Sequence, residues 1–158
     1  KAKVVMHSTH QKKGGTLWPF DGSSGRQKAL KLALENNVKF KYQVNDVLDF
    51  ETYQQFDVLS LIYAHFPNKI RKEANQHLLK FLKPNGKVIF EAFAKEQLGN
   101  AYGGPNTPEM LFSIEEIKEE FLGLKFKMLE QQKIQLDEGN RYKGEAEVIR
   151  FVAQSTNG

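Results

Sequence analysis

Three side chains suited to forming a reactive pocket lie at the end of a short apolar run. The run is residues 58–63 (VLSLIY); Tyr63 is its last residue, and His65 and Phe66 follow it ahead of Pro67. Histidine exchanges a proton near neutral pH, and aromatic rings commonly form pocket walls. Six nearly continuous apolar residues predict a strand buried on both faces, in the middle of a mostly parallel sheet. Because ligands bind beyond the carboxyl ends of such strands, this turn is the first candidate site.

Two aspartates occupy comparable places earlier in the chain. Asp21 follows an apolar stretch, residues 16–20 (TLWPF), in which Pro19 is unusual for a strand. Asp46 follows residues 38–44 (VKFKYQV), whose strict alternation predicts a strand with one polar face near a sheet edge. Between them a helix is expected, beginning near Ser23 and ending at Asn36–Asn37.

The remaining segments complete an α/β pattern. Residues 68–82 predict a helix capped by Asn68 and stopped by Pro84-Asn85-Gly86, and residues 87–93 (KVIFEAF) predict a strand. A long loop at 95–107 leads to a capping box at Ser113, a helix that ends at Gly123, and a hairpin formed by residues 124–136 and 142–152. This order predicts a doubly wound, mostly parallel, Rossmann-like α/β sheet with a C-terminal antiparallel hairpin.

Length and composition restrict the classes of function. The 158 residues fit one domain, residues 1–158, in which residues 1–15 are atypical. The net charge of +4 comes from dispersed lysines, which argues against nucleic acid as a partner. The absence of cysteine excludes disulfides and thiolate chemistry. Because there is neither a stretch of ~18–20 apolar residues nor a secretory leader, we expect no membrane partner and a cytoplasmic location.

The histidines outside the turn give no persuasive metal site. His7 and His10 are three residues apart in a polar segment, but no cysteine or convincing third ligand accompanies them. We therefore predict no metal ion. His77 lies in the helix after Pro67, and we expect it to be structural.

Three segments together resemble the class I S-adenosylmethionine-dependent methyltransferases. The resemblance rests on Asp21 and Asp46 at their strand ends and on FDVLSLIYAHFP followed by LKPNGKVIFEAF. The segments GGPNTPEMLFSIEEIKEEF and LDEGNRYKGEAEVIRFVA are similar to the small tellurite-resistance (TehB-like) branch of that family. The resemblance covers the chain from about Asp21 to Val152.

This resemblance implies S-adenosylmethionine as cofactor and assigns residues to it. A carboxylate such as Asp21, beside Gly22 and Ser23, is suited to accept hydrogen bonds from both ribose hydroxyls. Asp46 would approach the adenine amino group. Val47 and Leu48 would pack on the adenine ring, and Tyr63 would lie beside the cofactor. The alternatives are a helix-capping role for Asp21 and a turn-closing role for Asp46.

The resemblance places methyl transfer to a small-molecule acceptor at the turn after residue 62. Alignment and exclusion of water would supply most of the catalysis. His65 is the best-placed base if the acceptor loses a proton, and the alternative for it is a packing role. The acceptor pocket would include Phe66, Tyr102 and Gly103, with the loop around Gly103 acting as a lid or as a connector. Arg141 and Tyr142 at the final turn have no assigned role.

The sequence differs from the family pattern in its first 15 residues. Methyltransferases of this type carry E/D-x-G-x-G after the first strand, whereas residues 6–15 read MHSTHQKKGG. The first strand and helix are therefore shortened or incomplete, which leaves three explanations: a fragment, a sheet completed in a homodimer, or a non-catalytic binding or dimerisation module. Nucleotide-dependent oxidoreduction would also use Asp21, but G-x-G-x-x-G is missing.

Overall fold

The computed structural model describes residues 5–9, 23–39, 41–100, 103–137 and 143–156. Within it the chain divides into two compact units, Lys1–Thr52 and Tyr53–Gly158. The single domain expected for residues 1–158 stays a prediction. Asp21, Gly22, Tyr102, His10, Arg141, Tyr142 and the strand expected at 16–20 lie outside the described residues.

The first unit contains a parallel strand pair and one helix. Its elements are β1 (Val5–Thr9), α1 (Ser23–Glu35) and β2 (Lys41–Asn45). Strands β1 and β2 pair in parallel, with Val5 opposite Lys41. Helix α1 has the predicted bounds, and Asn37 with a φ of 52° follows its end. The leucines of α1 are exposed to different degrees, from 43% at Leu30 to 83% at Leu34.

The second unit is a mixed sheet with two helices and a long hairpin. The chain order of its helices and strands is β3 (Phe56–Ile62), α2 (Asn68–Leu79), β4 (Leu82–Phe93), α3 (Ile114–Glu120), β5 (Leu124–Asp137) and β6 (Lys143–Ser155). The four strands lie in the order β3-β4-β6-β5. Strands β3 and β4 are parallel, whereas β6 is antiparallel to both of its neighbours. The predicted α/β class and closing hairpin are confirmed.

The prediction that β3 is a central strand buried on both faces is wrong within the described residues. Strand β3 is at the edge of the four-stranded sheet. Leu61 is buried, but Val58 is 48% and Ile62 49% exposed. Its apolar run therefore covers one packed face and one open face, which the length of the run alone does not distinguish.

Two element boundaries also differ from the prediction. Asn68 is the first residue of α2 and not its cap, because Pro67 takes the cap position without a side-chain bond. The helix ends at Leu79, and β4 already begins at Leu82 instead of after Gly86. An irregularity in the pairing of β3 with β4 accommodates Pro84 and Asn85, whose φ is 61°.

Helix α3 begins as predicted. Ser113 accepts a hydrogen bond from the Glu116 amide, and the Glu116 carboxylate accepts one from the Ser113 amide. Ile117 and Phe121 are buried, whereas Leu122 is exposed. The helix ends at Glu120 with Phe121 as its cap, ahead of the predicted end at Gly123, whose φ is 84°. None of the helices in the described ranges is both long and apolar enough to cross a membrane.

The core of the second unit is mainly aromatic. Phe90 stacks on Phe151 with ring centroids 4.7 Å apart, and Phe121 meets Phe151 edge to face at 5.0 Å. These rings belong to one buried cluster that also includes Leu61 of β3 and Ile117 of α3. The cluster therefore joins α3 to the strands of the sheet.

Candidate functional site

The chain turns sharply at the end of β3. The Tyr63 amide donates to the Glu91 carbonyl at 2.7 Å, which keeps the strand end against β4. The His65 amide then donates to the Tyr63 carbonyl at 3.0 Å. Tyr63 has a φ of 51°, a strained conformation for a bulky residue. The strained turn directs His65 to the carboxyl end of the sheet, the position that the sequence predicted for the site.

An aromatic cluster, defined here as Tyr63, His65, Phe93 and Phe112, forms around this turn. Phe93, the last residue of β4, stacks on Tyr63 at 4.7 Å and on His65 at 5.7 Å between ring centroids. The Phe112 ring is 5.9 Å from that of His65. The sequence analysis did not name Phe93 as a candidate residue. Its position at the end of the strand that follows β3 was the signal that could have placed it in the aromatic cluster.

The hydrogen bonding of His65 fixes its tautomer. Its Nδ1 lies 2.8 Å from the carbonyl oxygen of Met110. A carbonyl oxygen only accepts hydrogen bonds, so Nδ1 carries the hydrogen and a neutral His65 keeps its lone pair on Nε2. Nε2 is buried and has no hydrogen-bond partner in the described part of the chain. A proton acceptor without a partner is therefore present at the predicted site.

The pKa of His65 is lowered from its ordinary value of 6.5. Burial of the ring is the main cause, and the positive charge of Arg71 adds to it, while the bond to Met110 acts in the opposite direction. His65 is therefore a neutral imidazole at pH 7.

This lowered pKa predicts a pH-dependent stability. Below pH 6.5 the unfolded chain binds a proton at His65 that the folded chain does not bind, so the free energy of unfolding falls as pH decreases. The slope from this residue is at most about 1.4 kcal/mol per pH unit. Denaturant unfolding between pH 5.0 and 7.0, chosen to stay above the ordinary pKa of 4.5 of Glu116, measures it.

The matched control for this measurement is His65→Gln. Glutamine keeps an amide donor for the Met110 carbonyl but does not titrate, so the variant should have a shallower dependence than the wild type. The other histidines contribute equally to both proteins. Equal slopes would show that His65 does not carry this dependence.

The loop that precedes Pro108 is attached to the aromatic cluster. The backbone of Gly103 and Gly104 lies against the Phe93 ring, since a Cβ at Gly104 would be 3.1 Å from Phe93 Cγ. Buried Gln97 donates to the Gly103 carbonyl at 3.3 Å and accepts from the Glu147 amide at 2.8 Å. Of the predicted pocket residues, Gly103 therefore lies near Tyr63 and His65.

Substitution of Gly104 tests this close approach. Alanine at 104 would have an unfavourable φ of 84° and press on Phe93, so we expect a loss of about 1–3 kcal/mol of stability. Gly99 has a similar φ of 88°, but a Cβ added there would meet no atom within 4 Å, so Gly99→Ala isolates the backbone cost. Thermal unfolding of both variants should show the larger loss for Gly104→Ala. Equal losses would mean that the contact with Phe93 contributes nothing.

The other predicted residues have separate outcomes. Asp46 accepts a hydrogen bond from the Leu48 amide at 3.0 Å through Oδ1, the turn-closing arrangement that the sequence left open. Val47 is buried and Leu48 half-buried. Phe66 is buried. Ser23 is the first residue of α1. In the described residues no group of three or more His, Cys, Asp or Glu side chains could hold a metal ion.

A cleft of about 200 Å³ lies at the opposite end of the second unit. It is lined mainly by leucines, including Leu79 and Leu82 near the start of β4. Among the residues that the structure describes, Lys80 is the one charged residue that lines it, and no aromatic ring or histidine does. The chemistry of the turn at His65 therefore makes that turn the better candidate site.

Comparison with solved structures gives the same fold class as the sequence. TehB from Haemophilus influenzae matches with a TM-score of 0.64 and 11% identity, over 84% of this chain and 47% of TehB. An S-adenosylmethionine-dependent methyltransferase from Clostridium acetobutylicum ATCC 824 matches with a TM-score of 0.60 and 11% identity, over 84% and 72% of the two chains. This chain thus spans about half the length of TehB.

A third similar structure contains S-adenosyl-L-homocysteine. The N-methyltransferase NodS from Bradyrhizobium japonicum WM9, in complex with S-adenosyl-L-homocysteine, matches with a TM-score of 0.53 and 14% identity, over 81% of this chain and 62% of NodS. No protein-family model and no curated protein sequence matches the chain. The predicted resemblance to S-adenosylmethionine-dependent methyltransferases is therefore confirmed at the level of the fold.

Proposed function

We propose that this chain is an S-adenosylmethionine-dependent methyltransferase acting on a small-molecule acceptor. The observation that carries the proposal is the Nε2 atom of His65, which is buried and has no hydrogen-bond partner among the described residues, near the carboxyl end of β3 in a fold that methyltransferases share. Neutral His65 has a lone pair on this atom because Nδ1 donates to the Met110 carbonyl. His65 Nε2 accepts the proton that the acceptor loses when it is methylated.

The cofactor, when bound, supplies a methyl group from a sulfonium centre. We propose that Asp21, with Gly22 and Ser23, binds its ribose and that Asp46 and Leu48 bind its adenine. Asp46 fits this role because, among the described residues, the Leu48 amide bonds to its Oδ1, and Oδ2 has the lone pairs to accept from an amino group. Leu48 retains exposed surface for ring packing, whereas Val47 is buried and supports the turn from below.

The acceptor lies against the aromatic cluster in this proposal. Tyr63, which is only partly buried, provides apolar ring surface, and buried Phe93 packs against it while the backbone at Gly103 limits the space beside Phe93. Phe66 supports the turn as a buried residue, and we assign Tyr102 to the acceptor pocket because it precedes Gly103 in the sequence. An uncharged acceptor that carries a hydrogen on its nucleophilic atom suits a neutral imidazole.

A non-catalytic module that pairs with a second copy is the second candidate. It is favoured by the missing E/D-x-G-x-G and by the open face of the sheet, where Val58, Ile62 and Ile89 are each about half exposed. Strand β3 is also an edge of the four-stranded sheet. An apolar edge of this kind is suited to pairing with another chain.

Calorimetric titration with S-adenosylmethionine and S-adenosylhomocysteine tests the first candidate. We expect micromolar binding, weakened about tenfold or more by Asp46→Asn through loss of a hydrogen bond to a carboxylate. Asp57→Asn is the control, because Asp57 is an exposed aspartate paired with Lys83. If neither ligand binds at millimolar concentration, the enzyme proposal fails. Sedimentation of the same protein as a dimer would then support the second candidate.

A further inference from the structure

Three consecutive backbone carbonyls accept hydrogen bonds from two side chains. Arg71 Nη1 donates to the Glu109 carbonyl at 3.1 Å and to the Leu111 carbonyl at 2.7 Å. Between them, the Met110 carbonyl accepts from His65 Nδ1 at 2.8 Å. The orientation of the Met110 carbonyl is therefore determined by bonds on both sides of it.

The Arg71 guanidinium is itself held in one orientation. Its side chain is only 2% exposed, and Nε donates to Glu120 Oε1 at 2.8 Å. Nη2 lies 2.7 Å from Glu120 Oε1 and 3.3 Å from Glu116 Oε2. With the two carbonyl bonds of Nη1, these contacts give each of the three guanidinium nitrogens a partner. Arg71 is therefore not free to bind a ligand.

Further contacts keep the same segment in place. The Arg71 guanidinium carbon lies 4.3 Å from the centroid of the Phe112 ring. The Phe112 amide donates to the Phe93 carbonyl at 3.1 Å, and the Lys95 amide donates to the Phe112 carbonyl at 2.9 Å. Residues 109–112 are thus attached to β4 on one side and, through Arg71, to α2 on the other.

We propose that Arg71 is a positioning residue for His65. Its hydrogen bonds to the Glu109 and Leu111 carbonyls fix the position of the Met110 carbonyl between them. In that position the Met110 carbonyl accepts a hydrogen bond only from an imidazole that carries its hydrogen on Nδ1. This leaves the Nε2 atom without a hydrogen in the neutral ring. The use of that atom in methyl transfer rests on the proposed function, but the control of the tautomer does not.

Nitrogen NMR of ¹⁵N-histidine-labelled protein, recorded without ligand, tests the proposal. The wild type should show His65 as the Nδ1–H tautomer. Arg71→Lys keeps the positive charge but cannot reach both carbonyls, so the ratio of Nδ1–H to Nε2–H forms should fall about tenfold, the effect of weakening one hydrogen bond. Lys95→Met is the matched control: it removes a cation from Glu116 and leaves the carbonyl bonds intact, so the ratio should not change.

Two results would overturn the proposal: a wild-type His65 in the Nε2–H form, or a folded Arg71→Lys protein with an unchanged ratio. If Arg71→Lys does not fold, Glu120→Gln replaces it, because this change weakens the hold on the same guanidinium without shortening a side chain. An unchanged ratio in folded Glu120→Gln then overturns the proposal, and a lowered ratio supports it. Since no cofactor is present, failure of cofactor binding does not affect this test.

Discussion

Replacing Arg71 with methionine is expected to lower the free energy of unfolding by about 3–5 kcal/mol. The change leaves Glu120 buried without the cation that now lies 2.7 Å from it. It also removes the donors for the Glu109 and Leu111 carbonyls. A buried carboxylate without its partner is costly, and methionine restores only the packing of the side chain. Denaturant unfolding at pH 7 measures the difference.

Two further variants separate this buried network from an ordinary surface pair. Lys95→Met removes a more exposed partner of Glu116, so its effect should be about 1 kcal/mol or less. Adding Glu120→Gln to Arg71→Met removes the uncompensated charge and should restore part of the lost stability, since Asn75 still donates to residue 120. A loss below about 1 kcal/mol for Arg71→Met would contradict a structural role for the buried pair.

Replacing His65 with glutamine is expected to lower kcat for methyl transfer by about 10²–10⁴-fold. Glutamine retains a donor for the Met110 carbonyl but offers no base in the position of Nε2. Affinity for S-adenosylhomocysteine should be unchanged, because the proposal has His65 act on the acceptor and not on the cofactor. Release of S-adenosylhomocysteine in the presence of a panel of hydroxyl, thiol and amine acceptors identifies the acceptor. The same assay then gives kcat for the wild type and for His65→Gln.

The matched control is His77→Gln, on helix α2. His77 packs edge to face on Phe81 at 5.3 Å between ring centroids, outside the aromatic cluster, so kcat should stay at the wild-type value. The wild-type rate should also fall with decreasing pH as His65 becomes protonated, and His65→Gln should lack this fall. An unchanged kcat in His65→Gln would remove His65 from the reaction.

Much of the fold follows from local signals in the sequence. The Ser113 capping box marks the start of α3, and the predicted end at Gly123 lies within three residues of the observed end at Glu120, because both signals depend on neighbouring residues. The predicted central position of β3 was wrong because the position of a strand in its sheet does not depend on neighbouring residues alone. An apolar run such as residues 58–63 indicates a strand, but its neighbours in the sheet depend on distant segments of the chain.

The grouping of the candidate residues is predicted in part. The strand end and the loop predict that Tyr63, His65 and Gly103 lie close together, and the structure brings them together around Phe93. Arg71 was missed because an arginine on a helix usually faces water, and its burial depends on Glu120, 49 residues away. The Met110 carbonyl was also missed, since residue types give no information on which backbone groups will accept hydrogen bonds.

The most direct test of the proposed methyltransferase site is an NMR titration with S-adenosylmethionine labelled with ¹³C at its methyl group. We predict saturable binding and nuclear Overhauser effects from this methyl group to the rings of His65 and Tyr63. Binding without contact to either ring would contradict the assignment of the site, and no binding at millimolar concentration would contradict the methyltransferase proposal itself.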